Sequence, residues 1–241
     1  ASPRIMSFER VGVVGAGGWG TALALVLNEN RLPLTLWGHD PAETRLIADR
    51  RENVHYLPGV KLPAEFQLTS ELADLAPCDL ILFVTPSKAV REVAARLSTI
   101  ALRKDAVLLS CTKGVERGSG KRMSEIIAEF FPGHVVTALS GPSHAEEVAR
   151  QQPTAVTVAC PDAGVALRLQ TAFSTSFFRA YTNDDLPGVE LGGALKNIFA
   201  LAAGVSDGLG LGDNTKAALI TRGLGEMVRL GVALGGRRET F

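Results

Sequence analysis

Several features that would assign a sequence to a class at once are scarce in this one. The 241 residues carry no net charge, because 25 lysines and arginines balance 25 aspartates and glutamates. No overall field would therefore draw the molecule to nucleic acid or to an acidic membrane. Cysteine occurs three times and never as a CxxC pair, which argues against a disulfide framework or a zinc knuckle. We expect no nucleic-acid partner, no metal ion and a reducing, cytoplasmic location.

Long apolar runs are missing as well. Residues 1–10 are polar and lack the apolar stretch of a signal peptide, and no later run approaches the ~18 apolar residues of a membrane span. Hydrophobic residues nonetheless make up 46% of the chain, which is enough for one large core or two modest ones. The composition predicts a folded globular protein with no integral membrane segment.

Short β-branched runs alternate with helical patterns as far as residue 183, and this alternation predicts a parallel sheet covered by crossover helices. Most strand candidates are apolar throughout, as expected when both faces of a sheet are buried. The predicted strands are 11–14, 34–37, 80–85, 106–111, 135–139, 155–159 and 177–181, and the predicted helices are 19–28, 41–51, 87–97, 122–130, 144–150 and 163–173. After residues 184–187 the sequence is rich in alanine, glycine and leucine at helical spacing, with a further helix at 215–234. We place a domain boundary there.

A glycine-rich turn joins the first predicted strand to the first predicted helix. Gly15, Gly17 and Gly20 satisfy GxGxxG: the first allows the tight turn, the second lets the backbone approach a pyrophosphate, and the third permits close packing of helix on strand. The free amides of the helix start would then face the phosphates. The alternative is a glycine-rich turn with no ligand.

The second predicted strand ends at His39 and Asp40, where an acid would normally bind the adenosine ribose. Asp40 comes late for that role. His39 would suit either a ribose hydroxyl or a 2′-phosphate, so the choice between NAD and NADP stays open. That His39 is a surface histidine in a turn, without a role in binding, is an equally good interpretation.

Other strand ends carry polar residues at the edge where ligands of open α/β sheets bind. Residues 85–87 would lie under the nicotinamide ribose, or simply form a proline turn that caps the next helix. Lys113 would meet an anionic substrate, or be solvated. Residues 140–147 combine a close-approach glycine with a helix start, which suits either a cap or a ligand.

Lys196 and Asn197 are the polar outliers of a glycine- and alanine-rich stretch at residues 190–197. Burial of a lysine is costly and lowers its pKa toward values useful for proton transfer. Lys196 is therefore the candidate catalytic residue. A lysine that extends from the helix to the surface is the alternative.

These blocks, in this order, resemble bacterial NAD(P)-dependent sn-glycerol-3-phosphate dehydrogenase over essentially the whole chain. The matching blocks are residues 15–20 (GAGGWG), 36–40 (LWGHD), 112–114 (TKG), 140–147 (SGPSHAEE), 192–197 (GGALKN) and 221–224 (TRGL). The resemblance implies an α/β fold, with a Rossmann-type, mostly parallel sheet domain at residues 1–185 followed by an all-α C-terminal domain from 186 to 241. The active site would lie in the cleft between them.

The resemblance also implies an activity and the residues that serve it. An oxidoreductase would interconvert sn-glycerol 3-phosphate and dihydroxyacetone phosphate with NAD or NADP, supply phospholipid synthesis, and form a homodimer. Nicotinamide would deliver hydride to the ketone carbon while the Lys196 ammonium protonates the developing alkoxide; neutral Lys196 would accept the proton in reverse. The expected cofactor contacts are Gly15, Gly17, Gly18, Trp19, Gly20, His39, Lys113 and Ala145, and the expected substrate contacts are Lys113, Gly141, Ser143, Lys196 and Asn197.

Family members continue past Phe241 with an aspartate and a Ser-Arg-Asn run that help bind substrate. The helical domain is therefore expected to be truncated here, which leaves open whether this chain alone is active. One alternative is a related dehydrogenase that acts on another hydroxy acid or sugar acid, against which the set of Lys113, Ser143 and Lys196 argues. A sensor or inactive fragment that binds NAD(P)H without turnover is the other.

Overall fold

A computed structural model describes residues 7–241, in which an eight-stranded sheet covered by helices is followed by two long helices. The strands are β1 (Val11–Val14), β2 (Leu34–Trp37), β3 (Gln67–Thr69), β4 (Leu80–Phe83), β5 (Val107–Ser110), β6 (Val135–Ser140), β7 (Thr154–Ala159) and β8 (Phe178–Asn183). The helices are α1 (Gly18–Glu29), α2 (Pro41–Arg50), α3 (Val90–Leu97), α4 (Met123–Phe130), α5 (Ala145–Ala149), α6 (Ala163–Phe173), α7 (Leu186–Gly208) and α8 (Gly212–Ala233).

The strand order places a ligand crevice beside the first strand. The sheet runs β3-β2-β1-β4-β5-β6-β7-β8, and every neighbouring pair is parallel except β6 and β7. The chain leaves β1 toward β2 and β3 and then returns to add β4 on the other side of β1. Because the direction of winding reverses there, the carboxyl ends of β1 and β4 flank the crevice in which such sheets bind ligands.

Apolar side chains fill both faces of the sheet. One cluster joins α1 and α6 to the sheet and includes Leu23, Leu27 and Phe173. The other joins α3 and α4 to the opposite face and includes Phe83 and Ile127. All residues of β1, β2, β4 and β5 are buried. Burial on both faces explains why these strands are nearly continuous apolar runs, broken in β2 by Thr35 and in β5 by Ser110, rather than alternating patterns.

The structure confirms the predicted mostly parallel α/β sheet followed by helices. Differences lie mainly at element ends: residues 87–89 form a 3₁₀ turn before α3, and α8 begins at Gly212 instead of residue 215. Strand β3 was missed, because it has only three residues, none of them buried. The division at residue 185 stays a prediction, although α7 begins at Leu186. The first six residues of the predicted first domain, with most of the polar start, lie outside the described residues.

The start of α7 and the last residues of the chain contact each other. The Asp185 carboxylate caps α7 by accepting from the Gly188 N–H at 3.0 Å, and it also accepts from the Arg237 N–H at 2.8 Å. The Phe241 ring packs so closely on Gly231 that a Cβ there would lie 2.0 Å from the ring. Residues 237–241 are therefore held against α7 and α8.

Helix α7 is the one helix among residues 7–241 that is long and apolar enough, by length and composition, to cross a membrane. Its mean hydropathy reaches 1.2 over 18 residues although Glu190 and Lys196 interrupt it. Helices of folded domains pass the same test, and α7 packs on α8 and β6. The expectation of no integral membrane segment stays a prediction.

Candidate active site

The turn between β1 and α1 has the geometry of a phosphate-binding loop. Gly15 has a φ of 129°, and a Cβ there would lie 2.7 Å from the Val84 carbonyl oxygen. A Cβ at Gly20 would lie 1.9 Å from the Gly15 carbonyl oxygen. At Gly17, by contrast, a Cβ would meet nothing within 4 Å. Gly15 and Gly20 therefore serve the packing of the turn, and the space at Gly17 is open to a ligand.

The start of α1 is free to accept an anion. No side chain caps the helix at Gly17, so its first backbone N–H groups keep their hydrogen-bonding capacity, and the helix dipole favours negative charge there. A Cβ at Gly18 would lie 2.8 Å from the Tyr56 carbonyl oxygen and 3.4 Å from the Cβ of Ala145. Gly18 is therefore enclosed by the loop that carries Tyr56 and by the start of α5, while Gly17 beside it stays open.

A cleft of about 360 Å³ brings together the ends of β1, β4, β5 and β6. It is lined by Gly17, Gly18, Trp19, Val84, Thr85, Pro86, Ser87, Cys111, Thr112, Lys113 and Ser143. The Thr85 hydroxyl is buried and has no hydrogen-bond partner among the described residues. A buried hydroxyl of this kind is costly unless something bonds to it. The open glycine, the uncapped helix start and this unpaired hydroxyl all fit a dinucleotide.

The ammonium groups of Lys113 and Lys196 both lie at the end of β6. The Nζ of Lys113 donates to the Ser143 hydroxyl, and the Nζ of Lys196 donates to the Gly141 carbonyl oxygen at 3.4 Å. Burial lowers the pKa of Lys113 to about 8, and the positive charge of Lys196 acts in the same direction. Among residues 7–241, neither lysine forms an ion pair with a carboxylate. Two unneutralised cations at one point favour an anionic ligand.

Close packing of α7 on the sheet brings Lys196 to this point. A Cβ at Gly193 would lie 2.2 Å from the Ser140 hydroxyl oxygen and 3.8 Å from the Cγ of Lys113. Only a residue without a side chain lets the helix lie this close to the end of β6. Lys196, one turn further on, is half-buried, between the buried and the surface position that the sequence left as alternatives.

Three other candidate residues lie apart from the cleft. His39 is exposed at the end of β2, and Asp40 caps α2 by accepting from the Ala42 N–H at 2.8 Å. Asp40 is therefore engaged as a helix cap, in agreement with its late position. Asn197 is exposed on α7. The described residues contain no group of three metal-ligating side chains.

Sequence reasoning missed two buried polar residues that support the site. Asn53, in the connection between α2 and β3, bonds to the glycine turn. Glu190, near the start of α7, accepts from the Ser124 N–H at 2.9 Å and from Arg122 Nη1 at 2.6 Å. Burial raises the pKa of Glu190, while these donors act in the opposite direction. The bonds of Asn53 to Ala16 and Thr21 and those of Glu190 to Arg122 and Ser124 each span more than 30 positions, so no local pattern marks these two residues.

The reversal of winding at β1, the open glycine turn and the paired lysines define a class of protein, the dinucleotide-dependent oxidoreductases with a Rossmann-type domain. Comparison with known proteins gives the particular family. The chain belongs to the NAD-dependent glycerol-3-phosphate dehydrogenases: the family's N-terminal model matches residues 10–166 and its C-terminal model residues 185–241.

Individual relatives agree with this assignment. The glycerol-3-phosphate dehydrogenase (NAD(P)+) of Lysinibacillus sphaericus is 50% identical, over 97% of this chain and 70% of its own length. The enzyme of the same name from Clostridium tetani is 46% identical over 98% of this chain and 68% of its own length. The crystal structure of glycerol-3-phosphate dehydrogenase from Coxiella burnetii has a TM-score of 0.90 at 39% identity, and covers 96% of this chain and 71% of that chain.

Proposed function

We propose that this protein is an NAD(P)-dependent oxidoreductase that interconverts sn-glycerol 3-phosphate and dihydroxyacetone phosphate. The observation that carries the proposal is the meeting of Lys113 and Lys196 at the end of β6, beside the cleft that ends at the glycine turn. A phosphorylated substrate would neutralise both ammonium groups there. The family membership supports this substrate over another hydroxy acid or sugar acid.

The two parts of the chain would divide the work at residue 185. In residues 1–185, the pyrophosphate would lie on the turn and helix start formed by Gly15, Gly17, Gly18, Trp19 and Gly20. Ala145, beside Gly18, and the exposed His39 would contact the rest of the cofactor. The cleft beyond Gly17 would take the nicotinamide end, where the Thr85 hydroxyl is available as a partner. Both NAD and NADP fit this proposal.

The substrate end of the site would be formed by Lys113, Gly141, Ser143, Lys196 and Asn197. When bound, the cofactor supplies or accepts the hydride. The Lys196 ammonium would hold a proton at Nζ against the ketone oxygen and transfer it as negative charge develops there. In the direction of oxidation, neutral Lys196 would accept the hydroxyl proton. Lys113, held by Ser143, would orient the anionic substrate.

Three further expectations follow from the family. We infer a cytoplasmic enzyme that supplies glycerol 3-phosphate for phospholipid synthesis, and a homodimer in solution. All three cysteines are buried with free thiols, which is compatible with a reducing compartment. Sedimentation equilibrium of the purified protein tests the dimer, and a monomer mass at micromolar concentration contradicts it.

Oxidation of NADH or NADPH by dihydroxyacetone phosphate tests the proposed activity, with the complete gene product and a Lys196→Ala variant. Loss of a positioned acid costs about 10²- to 10⁴-fold, so we expect kcat to fall by that factor while NAD(P)H binding is kept. Lys104→Ala, at an exposed position, is the matched control and should retain full activity. An unchanged kcat in Lys196→Ala would remove Lys196 from its role, and cofactor binding without turnover in the wild type would indicate a sensor.

A further inference from the structure

We propose that Asn53 is a positioning residue that holds the turn between β1 and α1 in the shape that binds the dinucleotide. Asn53 lies outside the glycine motif, in the connection between α2 and β3, and it is 0% exposed. The inference rests on the proposed function, because it assumes that this turn binds NAD(P).

The hydrogen bonds of the Asn53 side-chain amide fix its orientation. Its Nδ2 donates to the Ala16 carbonyl oxygen at 2.8 Å and to the Thr21 hydroxyl oxygen at 2.9 Å. Its Oδ1 accepts from the Tyr56 N–H at 3.2 Å. One N–H of the amide faces the glycine turn, the other faces the start of α1, and the acceptor oxygen faces the loop that carries Asn53. A buried amide with this set of partners cannot be reversed without loss of all three bonds.

The bond to Ala16 determines where the turn presents its amide. Ala16 and Gly17 share one planar, trans peptide group, so the N–H of Gly17 points away from the Ala16 carbonyl. Since Asn53 holds that carbonyl on one side, the Gly17 N–H is directed to the other. A Cβ at Gly17 would meet nothing within 4 Å, so the volume beside Gly17 is free for a phosphate.

A second contact fixes the next peptide. The Thr21 hydroxyl, which accepts from Asn53, itself donates to the Gly17 carbonyl oxygen at 2.8 Å. A chain of hydrogen bonds therefore runs from Asn53 through Thr21 to Gly17. The loop that carries Asn53 also packs on the turn through the Tyr56 carbonyl beside Gly18. Asn53 thus holds both peptides that flank the open position.

The arrangement requires a donor at this site. In Asn53→Asp, a carboxylate oxygen of the same size would replace the NH₂ group and face the Ala16 carbonyl oxygen, which repels it. The turn would rotate or open, and a polyanionic ligand beside a new negative charge would bind less well. Thr21→Val keeps the volume of Thr21 but removes the hydroxyl between Asn53 and Gly17.

Titration of NADH fluorescence measures binding independently of turnover. For the wild type we expect saturable binding, for Asn53→Asp a dissociation constant at least tenfold higher, and for Thr21→Val a smaller increase of a few-fold. The KM for NADH should rise in parallel, while kcat at saturating NADH and the KM for dihydroxyacetone phosphate change less than twofold. Asn214→Asp, which introduces the same charge at an exposed position on α8, should bind NADH as the wild type does.

The outcomes separate this proposal from the proposed function. Wild-type affinity for NADH in both Asn53→Asp and Thr21→Val overturns the role of Asn53. A uniform loss, in which kcat and both KM values worsen with the melting temperature, assigns Asn53 a merely structural role and also overturns it. If Asn53→Asp does not fold, the NADH affinity of Thr21→Val decides. A wild-type protein that binds no NAD(P)H contradicts the proposed function itself.

Discussion

The surroundings of Lys113 in the site change the pKa of its ammonium group. Burial, and next to it the neighbouring charge of Lys196, lower the pKa of Lys113 from the ordinary 10.5 to about 8. An anion bound between the lysines favours the charged forms. Substrate binding and protonation of Lys113 should therefore support each other.

The pH dependence of substrate binding tests this coupling. The pKa of Lys113 is lowered, so its charge is present below about pH 8 and is lost as the pH rises through that value. An anion would bind the charged form, and the KM for dihydroxyacetone phosphate should rise about tenfold between pH 7 and pH 9. Lys113→Arg stays charged over this range and should show a much flatter profile in initial-rate assays. The same pH dependence of KM in the wild type and in Lys113→Arg would show that Lys113 does not bind the substrate anion.

The elements of the fold bring these residues together by close backbone contact. Helix α7 lies across the end of β6 because Gly193 leaves room for the Ser140 hydroxyl. The contact determines how far Lys196 is from Gly141 and Lys113. A change of one methyl group at this contact should therefore affect chemistry without touching the cofactor.

We expect Gly193→Ala to lower kcat by at least tenfold while the dissociation constant for NADH stays within twofold of wild type. The added Cβ would lie 2.2 Å from the Ser140 hydroxyl oxygen, so α7 must shift and take Lys196 with it. Ser140→Ala in the same chain removes the obstructing oxygen and should restore part of the activity. Gly204 lies in the same helix, and a Cβ there would meet no other part of the described structure within 4 Å. Gly204→Ala is therefore the control and should be stabilised by up to about 1 kcal/mol. Full activity of Gly193→Ala would show that the contact does not position Lys196.

The sequence predicted these elements well where burial leaves a local signature. Strands buried on both faces are continuous apolar runs, and the glycine turn has fixed spacing. Strand β3, short and only partly buried, has no such signature. The antiparallel direction of β7 could not be predicted either, because an apolar run has the same pattern in both chain directions. Local patterns marked Lys113 and Lys196 one at a time, and only the family resemblance placed both at the substrate, because their common position at the end of β6 depends on packing between distant parts of the chain.

At the scale of the whole molecule, one buried ion pair ties the helical segment to the sheet domain. Glu190 of α7 contacts Arg122 and Ser124 at the start of α4, and the Glu190 and Arg122 side chains are 6% and 15% exposed. Loss of one partner of such a pair is more costly than the pair is stabilising, because the remaining charge is left unpaired. This tie should therefore affect the stability of the complete fold.

Glu190→Gln should lower the free energy of unfolding by about 1–3 kcal/mol. The amide keeps the size of the carboxylate but leaves Arg122 with only the more exposed Glu125 as an ionic partner. Urea unfolding followed by circular dichroism measures the change. Glu65→Gln, at an exposed position without an ion pair in the described structure, should unfold like the wild type. Coincident unfolding curves for Glu190→Gln and Glu65→Gln would show that the pair contributes nothing.

In the proposed reaction, a dinucleotide lies on the glycine turn while the Lys196 ammonium reaches the reacting oxygen. A crystal structure of the complete gene product with oxidised cofactor and dihydroxyacetone phosphate tests it most directly. We expect Lys196 Nζ within about 2.6–3.2 Å of the ketone oxygen, with a phosphate of the cofactor beside Gly17. A Lys196 side chain directed into solvent, or a cofactor bound away from Gly17, would contradict it.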